Sequence, residues 1–411
     1  MLISSPAKSF VNYLSGIAGN TTKIYRTSRI FPRMNIAFIF RHRYKVPQAP
    51  NLTGGRGWQF FMGIVKFLRA MSVYPFGFLQ RVLFLSLGLS LGISPNAMGA
   101  NPANAHPLIW MMPSPNGDGQ SFRELFENPD DWKKTRLRID VLGYADHWLD
   151  KQFSDAELQA WLPQLDKWGI KLGLEVGAIK PWGVTGDKTF NVNRKKWDRF
   201  QAAGGHIYAL AMDEPLAASR KNLHEPPEYA VEETAKFIAL VRKNYPNFII
   251  GDIEAYPYFQ ADELMAFVDA LQTKLKQMNV RGLDFFRLDV DWMHFRPGDP
   301  IGQAGWRGVH TVEMECHKRG IPFGLTYWAA DYPSLKRLNR SSNETWEASI
   351  THQGEEYASV GGSPDEYVIE SWLDTPAHAV PETTPGTFTK SVLDFTQRFL
   401  PDVSQSLPKG F

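Results

Sequence analysis

From Pro107 onward, apolar residues fall into short runs separated by longer stretches in which they recur every three or four positions. The runs are Pro107 to Met112, Leu137 to Leu142, Lys171 to Val176, Ile207 to Met212, Phe248 to Ile253, Leu283 to Val290, Phe323 to Tyr327 and Tyr367 to Ile369. Such near-uniform apolarity belongs to strands buried on both faces, and the stretches between them have helical period. Helix starts are legible too. Ser154-Asp-Ala-Glu157 is a capping box ahead of Leu158, Trp161, Leu162, Leu165 and Trp168, with Pro163 expected to kink that helix or mark its true start. Longer amphipathic runs cover Glu228 to Asn244 and Asp262 to Met278. Eight strand-then-helix units joined by right-handed crossovers predict an α/β chain closed into a single (β/α)8, or TIM, barrel. A doubly wound open sheet competes, but the first strand lacks the Gly-x-Gly-x-x-Gly that would favour it.

The strand ends break the apolar pattern in one consistent way. They read Met111-Met112-Pro113, Asp140-Val-Leu-Gly-Tyr144, Glu175-Val-Gly, Asp213-Glu214-Pro215, Asp252-Ile-Glu254-Ala-Tyr256, Asp289-Val-Asp291-Trp292, Thr326-Tyr327-Trp328 and Glu370-Ser-Trp372. Polar and aromatic groups gathered at one end of parallel strands predict an acidic, aromatic bowl. Loops on that side, such as Gly177 to Asn193 and Ser371 to Thr387, are long, whereas returns such as Trp168-Gly-Ile and Arg319-Gly-Ile-Pro are minimal. This asymmetry marks the working face.

Charge divides the chain. Of its 45 Lys and Arg, 12 fall in residues 1 to 105, which hold no Asp or Glu, leaving 33 basic against 43 acidic residues and a formal net of −10 for 106 to 411. A nucleic-acid partner is therefore excluded for the barrel. Within the basic leader, Arg81 precedes the apolar run Val82 to Ile93, and Ala103-Asn104-Ala105 follows as a small-x-small site. The order reads as a secretory signal, too short for a stable membrane span. The expected organisation is a basic leader over 1–70, untranslated or disordered, a signal-like segment over 71–105 and a barrel over 106–411, secreted or periplasmic after cleavage near Ala105. A transit peptide, or a disordered tail with one anchor, are the other readings of the leader. The single cysteine, Cys316, rules out an intramolecular disulfide and sits in an apolar helical pattern as a core residue.

Asp213-Glu214-Pro215 resembles the Asn-Glu-Pro that clan A glycoside hydrolases place at the end of strand four. The barrel count and Trp372 after strand eight extend the resemblance. It implies a general acid/base at Glu214 and a carbohydrate substrate, with no cofactor. The clan's nucleophilic Glu at the end of strand seven has no counterpart, since that position reads Leu325-Thr326-Tyr327-Trp328.

Glycosidic cleavage needs one protonated carboxyl and one ionised partner. Candidate partners of Glu214 are Glu370, first because Glu-Ser-Trp ends the last strand beside a long loop, then Glu254 and Asp291. Asp140, Glu175, Asp213, Asp252 and Asp289 are expected in the substrate bowl, although Asp213 and Asp252 also fit helix caps and Glu175 a structural ion pair. Tyr144, Trp182, Tyr256, Trp292, Tyr327, Trp328 and Trp372 are expected to stack on sugar rings, the alternative for each being packing of the barrel top. Only His147 and His294 lie near the bowl, so no zinc site is expected. Two further functions remain open: a barrel that binds carbohydrate without cleaving it, and a lyase, isomerase or phosphodiesterase using a divalent metal on Asp252-x-Glu254 and Asp289-x-Asp291.

Overall fold

The structure is a computed structural model that describes residues 106–401. The expectations for the leader, its cleavage site and its destination lie outside the described residues. Eight parallel strands pair in chain order and close, β8 returning to β1. They are β1 Leu108–Met112, β2 Val141–Ala145, β3 Lys171–Val176, β4 Ile207–Asp213, β5 Ile249–Tyr256, β6 Phe285–Val290, β7 Phe323–Tyr327 and β8 Glu366–Glu370. The principal helices following them are α1 Asn116–Glu127, α2 Asp155–Trp168, α3 Gly186–Ala202, α4 Pro227–Asn244, α5 Ala261–Gln277, α6 Gly305–Lys318, α7 Asn343–Ser359 and α8 Phe388–Phe399. The (β/α)8 barrel read from the apolar pattern is the observed architecture. Among the described residues no helix is long and apolar enough to cross a membrane.

Alternation along each strand sorts side chains into two cores. The larger joins the outer strand faces to the helices, and Cys316 lies buried in it. The smaller fills the barrel interior with Trp110, Met112, Val141, Ala209, Ala211, Ile253, Phe285 and Val368. Large interior side chains fit because their neighbours have none: a Cβ on Gly173 would stand 2.1 Å from Trp110 Cζ3, and one on Gly251 2.1 Å from the Phe285 ring. Gly173→Ala is therefore expected to cost about 1–3 kcal/mol, the range for overpacking a filled core, measured as a lower urea midpoint at unchanged slope.

Two local expectations are corrected. Helix α2 is capped by Ser154 and Glu157 as read, but it runs through Pro163 from Asp155 to Trp168 without a break. Strand β2 starts at Val141 rather than Leu137, so Asp140 precedes the strand, and its carboxylate accepts the Ile109 N–H at 2.9 Å. That places Asp140 at the amino-terminal mouth, across the barrel from the bowl.

Candidate active site

The inward residues nearest the carboxyl ends of the strands are fixed by the same alternation. Glu175, Asp213, Asp289 and Glu370 come from β3, β4, β6 and β8, and Met112, Ala145, Ala255 and Thr326 from the other four. Half of this top layer is carboxylic acid. Glu214 joins it through an unusual turn: the residue has φ +50° and ψ +55°, a left-handed conformation that a side chain preceding proline rarely adopts. Its N–H still donates to Ile253 O at 3.0 Å, and the one-turn helix Pro215–Ala217 starts directly after it. The turn sets Glu214 directly after inward Asp213 at the strand end, where it acts electrostatically on Asp289 and Lys180 and on Asp252 and Glu254.

Taking carboxylates out of water favours their neutral form, and crowding them reinforces it. Burial, then Asp213, push Glu175 up to about 8. Burial followed by Glu175 and Asp289 holds Glu370 well above the carboxyl range. Glu175 and Glu370 hydrogen-bond to each other across the lumen. Asp289 is likewise held well up, by burial and then by Glu214, Asp291 and Glu175. Glu214 is raised by burial and by Asp213, against the pull of Lys180 and Lys221. Lys180 is in an ion pair with Asp213 and stays cationic despite its burial.

This proton retention has a consequence for stability. An unfolded chain releases the Glu175 proton near the ordinary glutamate value, whereas the folded one keeps it to about pH 8. The contribution is therefore full at acid pH, below the unfolded value, and is lost as pH rises through that interval. The loss approaches about 1.4 kcal/mol per pH unit for each proton retained. Urea titrations from about pH 4 to pH 8 are expected to show Glu175→Gln flattening this decline relative to the wild type.

Beneath the bowl, Arg287 is fully buried and its Nη2 donates to Glu366 Oε2 at 2.8 Å. The guanidinium lies over Trp110 at 4.4 Å and Phe285 at 4.9 Å from the ring centroids. Its field opposes the proton retention of Glu175 and Glu370 above it.

Several expected residues lie elsewhere. Glu254 alternates with inward Ile253 and faces the opposite side, where it accepts the N–H groups of Leu216 at 2.6 Å and Ala217 at 3.3 Å. It caps the turn after Glu214 and is withdrawn from the lumen. Asp252 shares that outward parity, fully buried, with burial holding its carboxyl well up. Tyr144, Tyr256 and Tyr327 also belong to the outer core. Tyr144 packs on Phe122 and donates to Gln152 Oε1 at 2.7 Å; Tyr256 lies against Phe295, and Tyr327 stacks on Tyr367 at 5.6 Å. On a twisted strand end, counting from the last apolar residue does not give parity.

The remaining residues rim the mouth. Trp328 and Trp372 pack together at 4.3 Å, with Trp328 Nε1 donating to Val290 O at 3.0 Å. Trp182 is 48% exposed on the loop after β3, and Trp292 is half-buried beside His352. Asp291 accepts the Tyr258 hydroxyl at 3.3 Å and lies 3.6 Å from His294 Nε2, whose other nitrogen meets Asp299 at 2.9 Å. His147 is pushed down to about 4 by burial and then by Lys196, so it faces the site neutral. Glu366 opens β8 one residue before the apolar run that begins at Tyr367, and Lys221 carries no signal in the sequence. Among the described residues, no group of three or more His, Cys, Asp and Glu side chains is arranged to hold a metal ion.

No protein-family model matches the chain. No curated protein shows a significant match to it. Among solved structures it is similar to a glucosidase from Croceicoccus marinus, at 15% identity over 72% of this chain and 68% of that one, with a TM-score of 0.45. Xylanase 10B from Thermotoga maritima is similar at 10% identity, over 72% of this chain and 97% of that one, TM-score 0.43. An aldo-keto reductase from Bombyx mori is similar at 10% identity, over 75% and 91% of the two chains, TM-score 0.39. The three names span different chemistries. The reaction has to be read from this chain's own residues.

Proposed function

We propose that the chain is a glycoside hydrolase that cleaves an oligosaccharide or polysaccharide in the barrel lumen. The observation carrying this reading is the set of acids Glu175, Asp213, Asp289 and Glu370 turned inward at the carboxyl ends of their strands, with Glu214 directly after Asp213 and its carboxyl raised by burial and by Asp213. Glu214 is the general acid, donating its proton to the leaving glycosidic oxygen as the bond to the anomeric carbon breaks. One member of the Glu175–Glu370 pair, on losing its proton, is the base for the attacking water or the nucleophile at the same carbon. Asp213, paired with Lys180, precedes Glu214 directly, and Asp289 faces the same lumen. Trp182, Trp292 and Trp372 offer apolar faces along the mouth, with Trp328 packed behind Trp372. Secretion to the periplasm or cell exterior, where such polymers are met, belongs to the same proposal.

Incubating the purified protein with panels of neutral, amino and acidic oligosaccharides tests this reading. New reducing ends are expected with at least one panel, at rates that fall in Glu370→Gln and Glu175→Gln. A binder that releases none at any pH would replace it with a carbohydrate-binding barrel.

A further inference from the structure

The chemistry lining the lumen restricts what can occupy it. Of the eight inward residues at the carboxyl ends, four are acids, and the other four, Met112, Ala145, Ala255 and Thr326, offer one hydroxyl between them. No Asn or Gln amide stands in this layer to exchange hydrogen bonds with neutral hydroxyls. Of the cations nearby, Lys180 pairs with Asp213 and Lys221 lies over the Tyr258 ring at 3.6 Å, while Arg287, one layer below, pairs with Glu366 through Nη2 and keeps Nε and Nη1 unpartnered.

Unpartnered atoms mark the place more narrowly. Thr326 is 1% exposed and its Oγ1 has no hydrogen-bond partner; Asp289, its direct register neighbour on β6, has a buried Oδ1 in the same state. Buried polar atoms normally find partners, so an unpartnered hydroxyl and an unpartnered carboxyl oxygen side by side in one lumen point to a ligand group rich in donors. An ammonium supplies three donors and a positive charge, and it relieves carboxyls that otherwise take up protons to avoid facing one another.

We propose that the ligand of the lumen carries an ammonium group seated between Asp289 and Thr326, which on the reading above makes the substrate an amino sugar of the glucosamine type. This inference rests on the proposed glycosidase site, deepening it to a substrate class. Binding converts neutral carboxyls to carboxylates, so protons leave to buffer as the ammonium enters. The same event supplies the ionised carboxylate that cleavage needs.

Isothermal calorimetry tests it with a β-1,4-glucosamine tetramer, its fully N-acetylated counterpart, cellotetraose and spermidine, each near pH 6 in two buffers of different ionisation enthalpy. The glucosamine tetramer is expected to bind at least about ten-fold more tightly than either neutral tetramer, or about 1.4 kcal/mol, with heats that differ between buffers because protons are released. Thr326→Val and Asp289→Asn are expected to remove that preference, so that the glucosamine tetramer binds no more tightly than cellotetraose. Equal or tighter binding of a neutral tetramer overturns the inference and leaves the glycosidase reading standing. Binding of spermidine with no oligosaccharide retained upholds the ammonium site and overturns the sugar reading.

Discussion

Glu214→Gln is expected to lower kcat for glycosidic hydrolysis by about 10²- to 10⁴-fold, the range for removing a general acid, with the fold and substrate affinity retained. The size follows from where the residue stands. Burial and then Asp213 raise its carboxyl above the ordinary glutamate value, the direction a general acid needs. Glutamine keeps the shape and the hydrogen-bonding reach but has no such proton. The left-handed backbone at φ +50° is held by the N–H bond to Ile253, which does not depend on the acid group. Reducing-end assays should therefore show a loss in kcat with KM little changed, and circular dichroism should be superimposable on the wild type. A leaving group that needs no protonation, such as a dinitrophenolate glycoside, should recover a large part of the lost rate, which a merely structural defect would not allow.

Glu366→Gln is expected to destabilise the barrel by about 3–5 kcal/mol, because it strands a charge in the interior. Arg287 is fully buried, its Nε and Nη1 already lack partners, and Glu366 is the carboxylate that balances it. The aromatic faces of Trp110 and Phe285 offset only part of the loss, about 2 kcal/mol at most for a desolvated cation–π contact. Replacing both partners, as in Arg287→Met with Glu366→Leu, should recover most of the stability, since an apolar pair of similar volume has no desolvation penalty. Urea unfolding of the single and double variants separates the two costs. A single variant as stable as the wild type would show that the ion pair does not hold the barrel floor.

Much of this was legible before any coordinates. Strands buried on both faces announce themselves through unbroken apolar runs, and β3 and β7 carry the bounds read from the sequence. Glu214 stood out because an acid between an apolar strand and a proline has little other reason to be there. Inward or outward parity was not legible. It depends on where each strand enters the barrel, so Glu254 and Asp252 read as bowl residues although their side chains leave the lumen. The partnership of Glu175 with Glu370 was hidden for a different reason: β3 and β8 are separated by β1 and β2 around the wall and meet only across the interior. Sequence distance and strand adjacency both conceal a pair formed through a closed barrel.

The most direct test of the account is cleavage of the best-bound oligosaccharide in ¹⁸O-labelled water, with products read by mass spectrometry. The wild type is predicted to place one labelled oxygen on the anomeric carbon of each new reducing end, and Glu214→Gln to produce almost none in the same time. Unlabelled products, or labelled products formed equally well by the variant, would contradict a hydrolysis driven by the proton on Glu214.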